Sequence, residues 1–182
     1  FGISWDDIIQ VIKKIDGVPG RMELVQNDLN VDIIVDYAHT PDALEKVLTT
    51  LQAIWYKKIV TVFWATWDRD KTKRPIMWEI VAKYSDIVIL TQDDDYSENS
   101  ENIIKDVLPW INRVEWDNFF IIPTRKEAIE LGISSIEEWD VLLVAGKWDE
   151  HVMVTNAWAI EWHDKTVIKE ILKNIDDNKI IV

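Results

Sequence analysis

The sequence predicts an α/β domain: a Rossmann-like, doubly wound and mostly parallel sheet with helices on both faces. Three observations carry that prediction. Short runs that are apolar along their whole length alternate with segments of helical periodicity, the runs are rich in Val and Ile, and the residues following them are crowded with ionisable side chains. Strands buried on both faces need helices above and below, reached by right-handed crossovers.

The elements follow in order along the chain. Ser4 precedes Trp5-Asp6-Asp7, and Ile8, Ile9, Val11, Ile12 and Ile15 recur at helical spacing, so an N-capped helix is expected to run up to Gly17. Val18-Pro19-Gly20-Arg21 reads as a linker. Strands are expected at 31–35, 59–63, 87–90, 119–122 and 141–145, and helices at 41–53, 72–84, 101–108, 125–136 and 165–173. The acidic tail around Asp176-Asp177 reads as a fraying helix end.

In such a sheet, ligands bind in the crevice beyond the carboxyl ends of the strands. Those ends hold Asp36-Tyr37-Ala38-His39-Thr40, the residues 64–71, the residues 91–96 and the residues 146–151. A ligand site along this edge is the expectation. A purely structural domain would need no such crowding.

Composition excludes several other functions. The 182 residues carry a formal net charge of −13, which leaves no basic field for a nucleic-acid backbone. Without cysteine there is no disulfide framework, thiol nucleophile or Cys-based zinc site. His39, His151 and His163 do not form a zinc-type cluster, so no metal is expected on this chain alone. The apolar runs fall short of the roughly 20 residues that cross a bilayer, so no membrane partner is expected. A cytoplasmic location fits all of this. The start at Phe1 without Met points to a missing N-terminus.

One count is out of line. There are 11 Trp and only 5 Gly, so glycine is about 3% of the chain against a usual share of about 7%. Trp64 and Trp67 follow a buried strand, Trp110 follows Pro109, Trp116 and Trp139 precede Asp, Trp148 lies at a strand end and Trp158 in a hairpin context. Glycine belongs in such turns; tryptophan does not. Reading nine of the 11 as glycine restores a share of about 8%. The expectation is a gene in which UGA encodes glycine, with Trp162 a real tryptophan and Trp5 undecided. The alternative is a Trp-rich chain with aromatic binding platforms, or with Trp67 and Trp148 plugging the strand ends.

With glycine allowed at those positions, four ordered motifs stand out. Gly17-Val18-Pro19-Gly20-Arg21-Met22-Glu23 is a junction, and Val35-Asp36-Tyr37-Ala38-His39-Thr40-Pro41-Asp42-Ala43-Leu44 contains DYAHTPDAL. Trp67-Asp68-Arg69-Asp70-Lys71-Thr72-Lys73-Arg74-Pro75 reads as GDRDKTKRP with its first residue altered, and Ala145-Gly146-Lys147-Trp148-Asp149-Glu150 as AGKGxE. Together they resemble the C-terminal part of the Mur ligases, most closely the MurE type that adds the third residue of the peptidoglycan stem peptide. Cyanophycin and folylpolyglutamate synthases share pieces of the first two motifs, and the run from Asp68 to Pro75 favours MurE.

The resemblance implies residues 1–20 as a remnant of a central ATP-binding domain with its hinge, and 21–182 as the C-terminal domain. It implies an ATP-dependent amide ligase acting in peptidoglycan synthesis, and so in cell shape and division. ATP phosphorylates a peptide carboxylate of UDP-MurNAc-L-Ala-D-Glu, and the amine of a diamino acid displaces the phosphate. ATP and Mg would be held mainly by the missing central domain; the sequence has no G-x-x-x-x-G-K-[ST] even with Trp read as Gly. No catalytic residue is expected in this fragment.

By the same resemblance, Arg69 matches the arginine that forks onto the incoming amino acid's carboxylate. Gly146 and Glu150 line that pocket, with Glu150 suited to the ammonium. Asp36, Tyr37, His39 and Pro41 face the nucleotide, and Arg21 and Glu23 are hinge residues. Asp93, Asp94, Asp95 and Tyr96 stand where diaminopimelate-adding members have D-N-P-R. Three acids and a phenol suit a cationic side-chain end, so lysine is favoured over meso-diaminopimelate. A second reading, from another class, is a non-catalytic Rossmann-like binding module.

Overall fold

A computed structural model describes residues 2–14, 17–64, 73–91, 117–147, 152–154 and 159–179. Ser4 opens helix α1 (Trp5–Ile12), its hydroxyl accepting from the Asp7 amide at 3.1 Å. This helix stops well short of Gly17 and buries no residue. A two-residue strand, β1 (Glu23–Leu24), then runs antiparallel to β2 (Asp32–Asp36), with Glu23 opposite Val35. Thr40 caps helix α2 (Pro41–Ala53), with Pro41 in its first turn where a missing N–H costs nothing. Leu44, Leu48 and Leu51 are its buried stripe.

Beyond it come β3 (Lys58–Phe63), α3 (Lys73–Tyr84), β4 (Ile87–Leu90), β5 (Phe119–Ile121), α4 (Arg125–Ser134) and β6 (Asp140–Ala145). A hairpin, β7 (Val152–Val154) and β8 (Ala159–Glu161), brackets the turn expected near Trp158. Helix α5 (Asp164–Lys179) closes the order, running on past the expected end at 173. The helix expected at 101–108 lies outside the described residues.

The sheet order is β1-β2-β6-β3-β4-β5, parallel throughout except for β1. Strand alternation divides the core in two. Ile34, Ile59, Phe63, Val88, Leu90, Val141 and Leu143 meet Leu44, Leu48, Leu51, Met77 and Val81 from α2 and α3. Ile33, Val35, Val60, Val62, Ile89, Leu142 and Val144 meet Ala128, Ile129, Ile133, Ile168 and Ile171 from α4 and α5. This is the expected doubly wound architecture. Strands β3 and β6 each begin one residue earlier than the apolar pattern indicates, because Lys58 and Asp140 are register partners whose side chains pair at 3.0 Å. A charged pair at the mouth of two strands keeps both residues in the ladder.

Of the six described tryptophans, Trp5 is exposed at the start of α1 and the other five fall into three groups. Trp55, just past the end of α2, and Trp139, in the turn before β6, have φ of 72° and 74° and side chains 90% and 73% exposed. That is the left-handed region which glycine enters freely and a Cβ disfavours. Trp64 and Trp78 bury indole N–H groups that have no acceptor, Trp78 edge-on to Phe63 and Phe119 in the core. Trp162 alone of the three half-buried or buried indoles donates, to Asp164 Oδ1 at 2.9 Å. Trp67, Trp110, Trp116, Trp148 and Trp158 lie outside the described residues.

Candidate functional site at the strand ends

Because β2, β6, β3 and β4 are adjacent and parallel, their carboxyl ends share one edge of the sheet. At the end of β2, Asp36 is buried, its Oδ1 accepting from the Ala38 amide at 2.8 Å and its Oδ2 from the Met22 amide at 2.7 Å. The linker returns the contact, since the Tyr37 amide donates to Gly20 O at 2.8 Å. The His39 ring lies 4.2 Å from that of Tyr37, and its Nδ1 is 2.9 Å from Tyr37 O. A carbonyl can only accept, so Nδ1 carries the proton and a neutral ring keeps its Nε2 lone pair. Arg21 stacks its guanidinium 5.2 Å from the Tyr37 ring centroid. Pro41 follows at the start of α2.

Glu23 joins the linker to the far side of the domain. Its Oε2 accepts from the Gly20 amide at 2.9 Å, and its Oε1 pairs with Lys165 at the start of α5. Burial raises the carboxyl's pKa, but the bonds from Lys165 and Gly20 and the Lys165 charge outweigh burial and leave it below its ordinary value.

At the end of β6 the chain turns through Gly146, with φ 101° and its amide on Asp36 O at 3.0 Å. A Cβ at Gly146 would run into the Trp64 indole, which comes from the end of β3. The crevice between β3 and β6 is therefore occupied by a protein side chain. The alternative reading of the tryptophans puts such bulk at Trp67 and Trp148, which lie outside the described residues; among the described residues Trp64 supplies it.

Beneath this turn lies a buried network that the sequence did not announce. Arg125, first residue of α4, donates from Nε to Asp164 Oδ1 at 2.8 Å and from Nη2 to Asp164 Oδ2 at 2.6 Å, and Nη2 reaches Ala145 O at 3.4 Å. Arg125, Asp164 and Lys147 are all less than 5% exposed. Burial raises the Asp164 pKa, but the charge and hydrogen bonds of Arg125, the Trp162 bond and the charge of Lys147 prevail and hold it below the usual carboxylate range. Two opposite charges, each opening a helix, were the available signal. Their separation of 39 residues hid it.

Of the residues singled out from sequence, the structure brings together Arg21, Glu23, Asp36, Tyr37, His39, Pro41 and Gly146. Arg69, Asp93, Asp94, Asp95, Tyr96 and Glu150 lie outside the described residues. Among the described residues no group of three or more His, Asp or Glu is placed to hold a metal ion, and no helix is long and apolar enough to cross a membrane. A cavity of about 290 Å³ lined by Asn27, Asp32, Tyr56, Glu138 and Asp140 opens at the opposite, amino-terminal edge of the sheet.

Comparison with known proteins bears on this edge. Residues 20–148 match the model of the family described as Mur ligase, glutamate ligase domain. The chain is 40% identical over 176 residues to the UDP-N-acetylmuramoyl-L-alanyl-D-glutamate–2,6-diaminopimelate ligase 1 of Clostridium acetobutylicum, covering 96% of this chain and 36% of that protein. It is 42% identical over 160 residues to the corresponding ligase of Lawsonia intracellularis, covering 88% of this chain and 33% of that protein. A solved structure of such a diaminopimelate ligase superposes with a TM-score of 0.78 at 29% identity, over 96% of this chain and 36% of that one. A folylpolyglutamate synthase from Thermotoga maritima shares the fold, with a TM-score of 0.60 at 19% identity. The chain thus spans about a third of the length of the curated relatives it matches. The matched segment runs from the clamped linker to the strand-end turn at Gly146, and the chain belongs to the Mur ligase family, glutamate ligase domain.

Proposed function

We propose that this chain is the C-terminal domain of an ATP-dependent ligase, cytoplasmic in location, that adds a diamino acid as the third stem-peptide residue to UDP-MurNAc-L-Ala-D-Glu. The observation that carries the reading is topological. The segments 36–41, 64–75, 91–96 and 146–150 leave four neighbouring parallel strands, β2, β3, β4 and β6, at one edge. Residues distant in sequence can therefore act on one ligand there.

In this reading Arg69 and Glu150 take the carboxylate and ammonium of the incoming amino acid, and Gly146 lines the same pocket. Asp36, Tyr37, His39 and Pro41 face the nucleotide. By the same resemblance ATP and Mg are assigned mainly to a central domain upstream, in keeping with a sequence that carries no G-x-x-x-x-G-K-[ST]. Helix α1, amphipathic yet with no buried residue, belongs with that domain, and Arg21 and Glu23 with the hinge. The names of the relatives favour 2,6-diaminopimelate as the added residue. The acidic run 93–95 favours lysine.

The test is ADP release by the ligase expressed with its upstream sequence, dependent on UDP-MurNAc-L-Ala-D-Glu and on lysine or meso-diaminopimelate. Arg69→Ala is expected to raise the KM for the amino acid by on the order of a hundredfold, the loss of a charge-assisted fork. A folded full-length protein that forms no amide with either diamino acid overturns the proposal and leaves the binding-module reading.

A further inference from the structure

We propose that Arg125 and Asp164 are a positioning pair whose task is to aim the strand-end turn at Gly146 and Lys147. The inference rests on the amino-acid site proposed above and adds residues to it that touch no substrate.

A buried ion pair is a poor stabiliser, because the desolvation of two charges consumes most of what their attraction returns. Apolar residues of the same volume would hold α4 against α5 as well. What an apolar pair cannot do is set direction, and here every bond has one. The guanidinium engages both carboxylate oxygens in a fork, Nε on Oδ1 at 2.8 Å and Nη2 on Oδ2 at 2.6 Å, so the plane of Arg125 is fixed by Asp164. Trp162 fixes the carboxylate in turn, its indole N–H on Oδ1 at 2.9 Å.

Held in that plane, Nη2 reaches the carbonyl of Ala145, the last residue of β6. The next residue is Gly146, tied from the other side by its amide on Asp36 O at 3.0 Å. Lys147 follows, 3% exposed, with its charge acting on Asp164. The peptide at the end of β6 is thus gripped by the helix starts on one side and by β2 on the other. Both helices of one face of the sheet converge on the point where the chain departs toward the proposed site.

The experiment compares wild type, Arg125→Lys and Trp162→Phe in the ligase carrying its upstream sequence. The lysine keeps the charge and loses the fork; the phenylalanine keeps the bulk and loses the bond to Oδ1. Hydrogen exchange is read by mass spectrometry on a peptide spanning residues 144–147 and on one spanning 59–63 of β3, alongside KM values for the diamino acid and for ATP. Arg125→Lys is expected to speed exchange at 144–147 about tenfold with 59–63 unchanged, and to raise the diamino-acid KM about tenfold or more while the ATP KM stays within about twofold, the effect of a small misplacement of the binding residues. Trp162→Phe should do the same to a smaller extent.

Equal acceleration in both peptides, a parallel rise in both KM values, or no change overturns the proposal. If Arg125→Lys fails to fold, Trp162→Phe decides by the same criteria. A wild-type protein that makes no amide sinks the functional reading, and the exchange measurement then still decides the positioning role.

Discussion

The Met22 amide donates to the Asp36 carboxylate at 2.7 Å, across 14 residues of sequence. One side chain thereby joins the segment that enters the domain to the strand end that carries Tyr37 and His39. The other oxygen holds the Ala38 amide at 2.8 Å, so both lone-pair faces of a buried carboxylate serve backbone N–H groups. Met22 itself has φ 44°, a left-handed conformation that this bond helps to hold.

Asp36→Ala would leave two amides without their acceptor. We expect a loss of about 2 kcal/mol by urea denaturation, from unsatisfied groups that cost about 1–3 kcal/mol each when buried. Trypsin should then cut after the exposed Arg21 severalfold faster, since the linker has lost its anchor. An unchanged cutting rate would show that Tyr37 and Glu23 suffice to hold it.

Trp55→Gly and Trp139→Gly should each stabilise the chain. A non-glycine residue in the left-handed region costs about 1 kcal/mol or more, and indoles 90% and 73% exposed have little packing to lose. The expected rise is about 1 kcal/mol each, a Tm shift of about 2–4 °C for a chain of this size. Lower Tm values would mean that these indoles earn their place by contacts. The same two positions are where UGA codons for glycine are expected in the gene.

Trp64→Gly should open the crevice between the ends of β3 and β6. The indole lies against Gly146 and buries an N–H with no acceptor, so it gives up little on leaving. In the ligase proposed above, the KM for the diamino acid is expected to fall on the order of tenfold, about 1.4 kcal/mol of recovered binding. An unchanged KM would place the amino acid elsewhere along the edge.

Stability should fall on the acid side through Glu23 and Asp164. Both carboxyls have folded pKa values below those of free carboxyl groups. Each therefore contributes stability that is present above the unfolded value and lost as pH falls through the folded one, where the unfolded chain binds more protons. Urea midpoints measured from pH 7 downward should hold until about pH 4–5 and then decline. Asp164→Asn should start lower at pH 7, with a shallower decline; an identical slope would remove Asp164 from the account.

Much of this fold was legible because local signals agreed. Thr40, Pro41 and the spacing of Leu44, Leu48 and Leu51 marked α2 to the residue. Ile87 to Leu90 marked β4 equally well. Strand β1 was not legible, since Glu23-Leu24 carries no pattern and is a strand only because β2 pairs with it. At the site, Asp36, Tyr37 and His39 were readable as a strand end, but the grip on that end by Met22 and Gly20 is tertiary. Arg125 and Asp164 each look like an ordinary polar residue opening a helix; only folding brings them together, and only burial gives the pair meaning. Trp162 was set apart in sequence as unlike the rest, and its indole has a hydrogen-bond acceptor where those of Trp64 and Trp78 have none.

Strand β6 lies between β2 and β3 yet is the last of the six to be synthesised. A ribosome that has released everything up to α4 has exposed two strands, β2 and β3, with a slot between them and no occupant. Neither can complete its hydrogen bonding until residues 140–145 emerge, about a hundred residues after β2. Closure over that length makes folding slow and nearly all-or-none. A nascent chain stalled before Asp140 should be open to proteases along its whole length, and one released past Ala145 should become resistant in a single step.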